Sequence, residues 1–177
     1  MNMHDPVLLV LEVTVTGVMF GAVAFFSRAT SRRILGALIG GLPLIPMIML
    51  YDAVASRRGW WHYPSVTGSQ APLAWYVAAA LWYGAALGLV GWRVIRRFGG
   101  AGLTAFLVTF AILGVARDYL HSISTRLIVF GSGPLPLIAD LFAYASGAAV
   151  VQLCMYWIAG PPKADRLARS SLTTSSL

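Results

Sequence analysis

Five runs of apolar residues, at about 7–26, 34–51, 71–92, 101–116 and 134–159, are set apart by short stretches rich in arginine, glycine or proline. A helix rises 1.5 Å per residue, so about 20 such residues cross the roughly 30 Å of hydrocarbon in a bilayer. No water is available there, and a helix is the simplest element that satisfies all of its own backbone N–H and C=O groups. The fold class that follows is all-α: an integral membrane helical bundle of about five transmembrane helices over residues 1–160. A polar, Ser/Thr-rich tail, 161–177, is expected to be disordered. The fourth run is short by itself and is expected to extend through Asp118.

Composition agrees. Of 177 residues, 58% are hydrophobic and 11% charged, against about 25% charged in an average soluble domain. The net charge of +7 is not a nucleic-acid signature, because the basic residues sit in short clusters between the apolar runs. Such clusters set topology and meet anionic headgroups, so membrane lipids are the expected surroundings. Arg28, Arg32, Arg33, Arg93, Arg96, Arg97, Lys163, Arg166 and Arg169 would share one side; Arg57, Arg58, Arg117 and Arg126 the other. By the positive-inside rule the first group is cytoplasmic. The expectation is a multi-pass cell-membrane protein with its N-terminus outside and its C-terminus in the cytoplasm. Asp5-Pro6 makes a good helix start, and the first run is too long for the core of a cleaved signal peptide. Cys154, the single cysteine, excludes an intrachain disulfide and reads as a small buried hydrophobe.

Small residues four apart, at Gly17/Gly21, Gly36/Gly40 and Ala80/Gly84/Gly88, let helices approach closely in lipid. Gly41, Pro43 and Pro46 are expected to kink or loosen the second helix. At an offset of 63, Gly68-Ser69 and Gly84-Ala85-Ala86 correspond to Gly131-Ser132 and Gly147-Ala148-Ala149, which reads as a tandem two-helix repeat. Chance similarity in a Gly/Ala-rich chain is the competing explanation.

The acidic residues carry the chemistry. Asp5 and Asp165 are terminal. Glu12 and Asp140 lie five or six residues inside their helices, about 8–9 Å below the outer surface. Asp52 and Asp118 end helices two and four on the same side, so four carboxyls gather at one level. Ionisable groups at such depth are costly and usually face the bundle interior. For Asp52 and Asp118 the plainer reading is a local ion pair, with Arg57 or Arg58 and with Arg117 or Arg126. Glu12 and Asp140 have no basic neighbour, and Thr16 and Tyr144 one turn on place each on a stripe with a polar residue.

Trp60, Trp61 and Tyr63 lie in the loop on that side, with Trp75, Tyr76, Trp82 and Tyr83 in the helix that follows. They read either as an interfacial aromatic belt or as the wall of a pocket whose ring faces stabilise positive charge. His62 and His121 are a weak metal signal and fit interfacial hydrogen bonding. Asp52-Ala53-Val54-Ala55-Ser56-Arg57 lacks the downstream aspartates of membrane phospholipid synthases. Gly131-Ser132-Gly133 lacks the later histidine of an intramembrane serine protease.

The stretch from Tyr51-Asp52 through Arg58-Gly59-Trp60-Trp61-His62-Tyr63, with Pro72-Leu73 heading the next helix, resembles the lycopene cyclases of the heterodimeric or fused bacterial type. A fainter echo runs through Asp118-Tyr119 and Pro136-Leu137. That family implies small helical membrane proteins built from related units, with an Asp at a helix end and a Pro-Leu-Glu-Glu helix start. Here Ala74-Trp75 and Ile138-Ala139 stand where the paired glutamates belong, and only Asp140 offers an acid nearby. The resemblance therefore implies a divergent terpenoid cyclase or isomerase acting on a hydrophobic, isoprenoid-like substrate. Glu12 or Asp140 would be the proton donor, Asp52 or Asp118 a base or orienting group, and the Trp60, Trp61, Tyr63, Trp75 and Tyr144 rings would bind substrate. Such chemistry requires no cofactor. The alternatives are a relative that has lost catalysis, a small carrier, a lipid-binding protein, or a structural subunit with a membrane partner or a second copy of itself.

Overall fold

The structure, a computed structural model, describes residues 6–64 and 71–162. Asp5, the Gly68-Ser69 half of the sequence repeat and the tail from residue 163 lie outside the described residues.

Helix α1 (Pro6–Phe26) starts on a proline, whose missing N–H would have no partner in a first helical turn anyway. Much of its surface is apolar and exposed, with Val7, Val10, Val18, Phe25 and Phe26 turned outward. The second span is α2 (Ser31–Gly41) followed by α3 (Leu44–Arg58). They are separated at Leu42-Pro43, and Pro46 falls in the first turn of α3, where an N–H is dispensable. The expected loosening at Gly41, Pro43 and Pro46 is therefore a break that leaves both halves intact. Gly59, at φ 66°, ends α3 in the left-handed region. Gly59 N–H donates to Ser56 C=O, and Trp60 N–H to Ala55 C=O at 2.8 Å, which closes the last carbonyls of the helix.

Helix α4 (Leu73–Ala79) passes through a π-helical segment, Ala80–Ala86, into α5 (Leu87–Ser124). Together they form 52 residues, about 78 Å if straight, far more than a bilayer requires. The chain folds back at Gly99, whose φ of 61° and ψ of −136° are open only to glycine. Contacts across the turn prove the reversal. A Cβ on Gly102 would meet the Val94 carbonyl at 2.6 Å, and one on Gly91 would meet the Phe106 ring at 2.7 Å. The arms, 73–98 and 100–124, are thus two antiparallel spans. Helix α6 (Leu135–Ala159) is the fifth.

The outcome is the expected all-α membrane bundle, with two adjustments. Helix three continues to residue 98 rather than ending near 92, and helix four extends through Asp118, as expected, and runs on to Ser124. The first extension follows from the tight turn at Gly99, which leaves almost no loop between the spans.

A short antiparallel ribbon pairs β1 (Trp61–His62) with β2 (Val129–Phe130). It ties together the loops after spans two and four, at one end of the bundle. Ala37, Leu44, Ala85, Leu89, Trp92, Val151 and Met155 form the core where both halves of span two meet the π-helical segment, α5 and α6. Lipid supplies no hydrophobic drive for helix association, so close packing must do it. A Cβ on Gly84 would sit 2.5 Å from Gly41 Cα, and Leu44 touches the positions where Gly84 and Gly147 would carry side chains. The Gly36/Gly40 and Ala80/Gly84/Gly88 stripes therefore do pack. Gly17 and Gly21 meet nothing within 4 Å, because α1 turns that face outward.

The turn yields a paired expectation. Gly99→Ala should destabilise the protein by about 1–3 kcal/mol, the usual strain of a side chain in a forbidden backbone region. Gly100→Ala, where an added Cβ meets open space, should be neutral or slightly stabilising. Unfolding in mild detergent compares the two, and equal effects would remove the strained turn as the device that separates spans three and four.

Candidate functional site

Beneath the ribbon lies a cavity of about 830 Å³. Spans one to five all contribute to its wall: Glu12 and Thr16 from α1, Asp52 from α3, Trp75 and Tyr76 from α4, Arg117 and Asp118 from α5, and Asp140 and Tyr144 from α6. Trp61, Tyr63 and Ile128 close it from the loop side. The four acids expected at one level thus line one cavity, together with Trp61, Tyr63, Trp75 and Tyr144. Trp60 does not line it. Trp60 packs instead beside Ala55, Trp61 and Ile128, because the turn at Gly59 presents Trp61 inward. His121 reaches the cavity wall, whereas His62 is exposed on β1.

The acids differ sharply in what holds them. Asp52 is 3% exposed and accepts from three neutral donors. Trp61 Nε1–H donates to Oδ1 at 2.9 Å and the Tyr76 hydroxyl to Oδ2 at 2.9 Å; the Tyr63 hydroxyl reaches both oxygens at 3.1 and 3.2 Å. Tyr76 in turn accepts from the Ala71 N–H. The expected partner, Arg57 or Arg58, is not used. Both occupy the last turn of α3 and are exposed, while Asp52 points into the bundle. Burial, with the Asp52 carboxyl beside it, pushes the Tyr63 phenol well above its ordinary value, so it stays a neutral O–H donor at physiological pH.

Asp118 is held by charge. Arg117 Nε–H donates to its Oδ1 at 2.8 Å, a second guanidinium N–H joins the same oxygen, and the Tyr144 hydroxyl donates to Oδ2 at 2.8 Å. The local ion pair expected for Asp118 is therefore made with Arg117. The same guanidinium lies 5.0 Å from the centre of the Tyr83 ring, which packs edge-on against Phe110 and Tyr144.

Asp140 stands apart. It is 5% exposed, and its Oδ2 has no hydrogen-bond partner among the described residues. Trp75 Nε1, across the same cavity, is also buried without one. Glu12 is half-buried at the wall; the Thr16 hydroxyl bonds the Glu12 carbonyl rather than its carboxyl. Asp52 and Asp118 are therefore saturated with donors, whereas Asp140 and Trp75, both on the cavity wall, each keep a buried polar atom without a partner among the described residues.

Tyr76 is the residue whose role the sequence did not expose. Its counterpart was visible: Asp52–Tyr76 and Asp118–Tyr144 are equivalent bonds, 24 and 26 residues apart, each joining a helix-end Asp to a Tyr on the next helix. The offset of 63 matches Gly84 to Gly147 but misaligns these pairs, so a glycine-based repeat could not reveal them.

Removing a donor to a buried carboxylate costs more than removing one between neutral groups. Tyr76→Phe should lower stability by about 1.5–3 kcal/mol. Tyr51→Phe, which loses only the hydroxyl contact to Ser146 at 2.8 Å, should cost about 0.5–1.5 kcal/mol. Unfolding of both variants against wild type measures the difference, and reversed magnitudes would mean Asp52 is not the centre of the network.

Compared with models of known families, with characterised proteins and with solved structures, the chain matches none.

Proposed function

We propose that the protein is a membrane-embedded enzyme that cyclises or isomerises an isoprenoid substrate by protonating one of its double bonds. The observation that carries this reading is the Asp140 carboxyl: buried, without a hydrogen-bond partner at Oδ2 among the described residues, and part of the wall of a cavity lined by aromatic rings. With no hydrogen-bond donor holding that oxygen among the described residues, Asp140 is the acid assigned the role of O–H donor. Glu12 is the second candidate for the role.

The proposed steps balance without a co-reactant. The Asp140 proton adds to an alkene carbon, the π pair forms the new C–H bond, and a carbocation is left on the neighbouring carbon. A second alkene attacks that carbon to close a ring, or the cation simply persists. Loss of an adjacent proton to a carboxylate of the cavity restores a double bond. The product is an isomer of the substrate. Trp75 and Tyr144 offer ring faces to the cation, an interaction worth about 2 kcal/mol or more in a dry pocket. Asp52 and Asp118, with their donors in place, orient the wall and keep negative charge near the cation. The likeness of the Asp52–Tyr63 stretch to the lycopene cyclases supports the same class of chemistry, and with the paired glutamates absent Asp140 and Glu12 are the acids proposed as donor.

In this reading the cavity lies toward the outer membrane face. The nine-to-four division of basic residues supports that orientation, with N-terminus out and C-terminus in the cytoplasm. A reporter fused after Leu177 should be active only in the cytoplasm and one inserted near Ser65 only outside; exchanged activities would place the cavity on the inner face.

The catalytic test compares isoprenoid profiles of lipid extracts from cells with and without the gene. Asp140→Asn or Glu12→Gln keeps shape and hydrogen bonding but cannot deliver a proton, so the donor's variant should lose about 10²–10⁴-fold in product. Trp75→Leu should slow the reaction or redistribute products. Wild-type product levels in both amide variants would end the proposal. A carrier would instead show pH-dependent movement of the substrate with no new compound.

A further inference from the structure

A second hollow, of about 450 Å³, runs between the two arms of the Gly99 hairpin. Leu87, Val90 and Val94 line it from the first arm, Ala105, Phe106 and Leu113 from the second. Val90 is 39% and Leu113 63% exposed, so the groove opens sideways, toward membrane hydrocarbon rather than the bundle interior. From Trp82 to Val94, or from Arg117 to Ala105, the walls extend about 18 Å along the helix axes. Its lining is mostly apolar, with Thr109 midway along the second arm and Arg117 at one end.

That end is shared. Trp82, Tyr83, Phe110 and Arg117 border both the groove and the polar cavity. Trp82 and Tyr83 lie in the π-helical segment Ala80–Ala86. Such a segment widens one helical turn and frequently occurs at functional sites. Here it places the Tyr83 ring between the compartments, edge-on to Phe110 at 5.9 Å and to Tyr144 at 5.7 Å, with the Arg117 guanidinium over its face. Since Arg117 and Tyr144 are also the donors to Asp118, any shift of Tyr83 is felt by the cavity wall. Polar and apolar spaces thus meet at one aromatic partition.

We infer that this groove holds the hydrocarbon tail of the substrate whose reacting end occupies the polar cavity, the ligand entering sideways from the membrane past Tyr83. The inference rests on the cavity as the reaction site and adds the shape of the substrate: an amphiphile with its reactive or polar end at the acids and a linear isoprenoid tail along the hairpin. The occupant follows from continuity with the cavity, an apolar lining and lateral opening into lipid. A compact ligand confined to the cavity would have no use for the groove.

The test uses the full chain in phosphatidylcholine nanodiscs, with geranylgeraniol carrying a diazirine at its tail end and geraniol as a short competitor. Photolabel should fall on groove residues such as Leu87, Val90 and Phe106. Ala105→Trp fills the groove away from the acids, and it should weaken geranylgeraniol binding at least about tenfold, equivalent to roughly two buried methylenes, without changing geraniol binding. Val90→Trp, from the facing arm, should reproduce the effect. Unchanged geranylgeraniol affinity in both variants, or equal losses for the two alcohols, would overturn the tail site. Label on Trp75 or Tyr144 with none in the groove would overturn it while leaving the cavity reading intact. Label in neither place above that on the outward face of α1 would remove both.

Discussion

A carboxyl group inside an apolar bundle has to be satisfied by the protein, since hydrocarbon offers it nothing. Asp52 meets that demand with three neutral donors drawn from a loop, a strand and a helix: Tyr63, Trp61 and Tyr76. To bring them to one point, α3 must end where it does, the chain must reverse at Gly59, and the ribbon must seat Trp61 inward. The network therefore fixes the roof of the cavity and the position of α4 together. A purely hydrophobic contact would tolerate sliding of these parts; a carboxyl with both oxygens occupied does not.

The second unit of the bundle meets the same demand differently. Asp118 takes Tyr144 from the following helix, as Asp52 takes Tyr76, but its remaining oxygen is held by Arg117. The two units are thus alike in the Asp–Tyr bond and unlike in charge. One acid is surrounded by neutral donors and the other belongs to an ion pair whose cation also covers Tyr83. Asp140, between them, receives neither treatment at Oδ2. This inequality among carboxyls sharing one cavity is what separates a candidate proton donor from residues that shape its surroundings.

Backbone economy shapes the rest. The hairpin turns on Gly99 alone, so spans three and four stay close along their length and their side chains face each other from Gly91–Phe106 to Tyr83–Phe110. The break at Leu42-Pro43 plays a matching part in span two, bringing Gly41 against Gly84 and Leu44 between Gly84 and Gly147. Those contacts put backbone nearly against backbone near the middle of the bundle. The cavity is then left toward the ribbon end, where Asp52, Trp75 and Tyr76 carry larger side chains.

Much of this was legible in the residues. Apolar run length determined five spans, because hydrocarbon thickness and helix rise leave little choice. Counting residues from each helix end placed Glu12, Asp52, Asp118 and Asp140 at one depth. What sequence did not determine is rotation and pairing. A helix that is apolar all round, as α1 and α6 nearly are, has no polar face to say which side meets its neighbours. Hence Gly17 and Gly21 carried the packing pattern without packing, Trp60 and Trp61 were indistinguishable neighbours although only one lines the cavity, and the nearby Arg57 or Arg58 was the partner expected for Asp52 where the distant Tyr76 serves. Depth is a one-dimensional property that the chain writes directly. Which donors reach which carboxyl depends on crossing geometry among helices far apart in sequence, and only the packed bundle decides it.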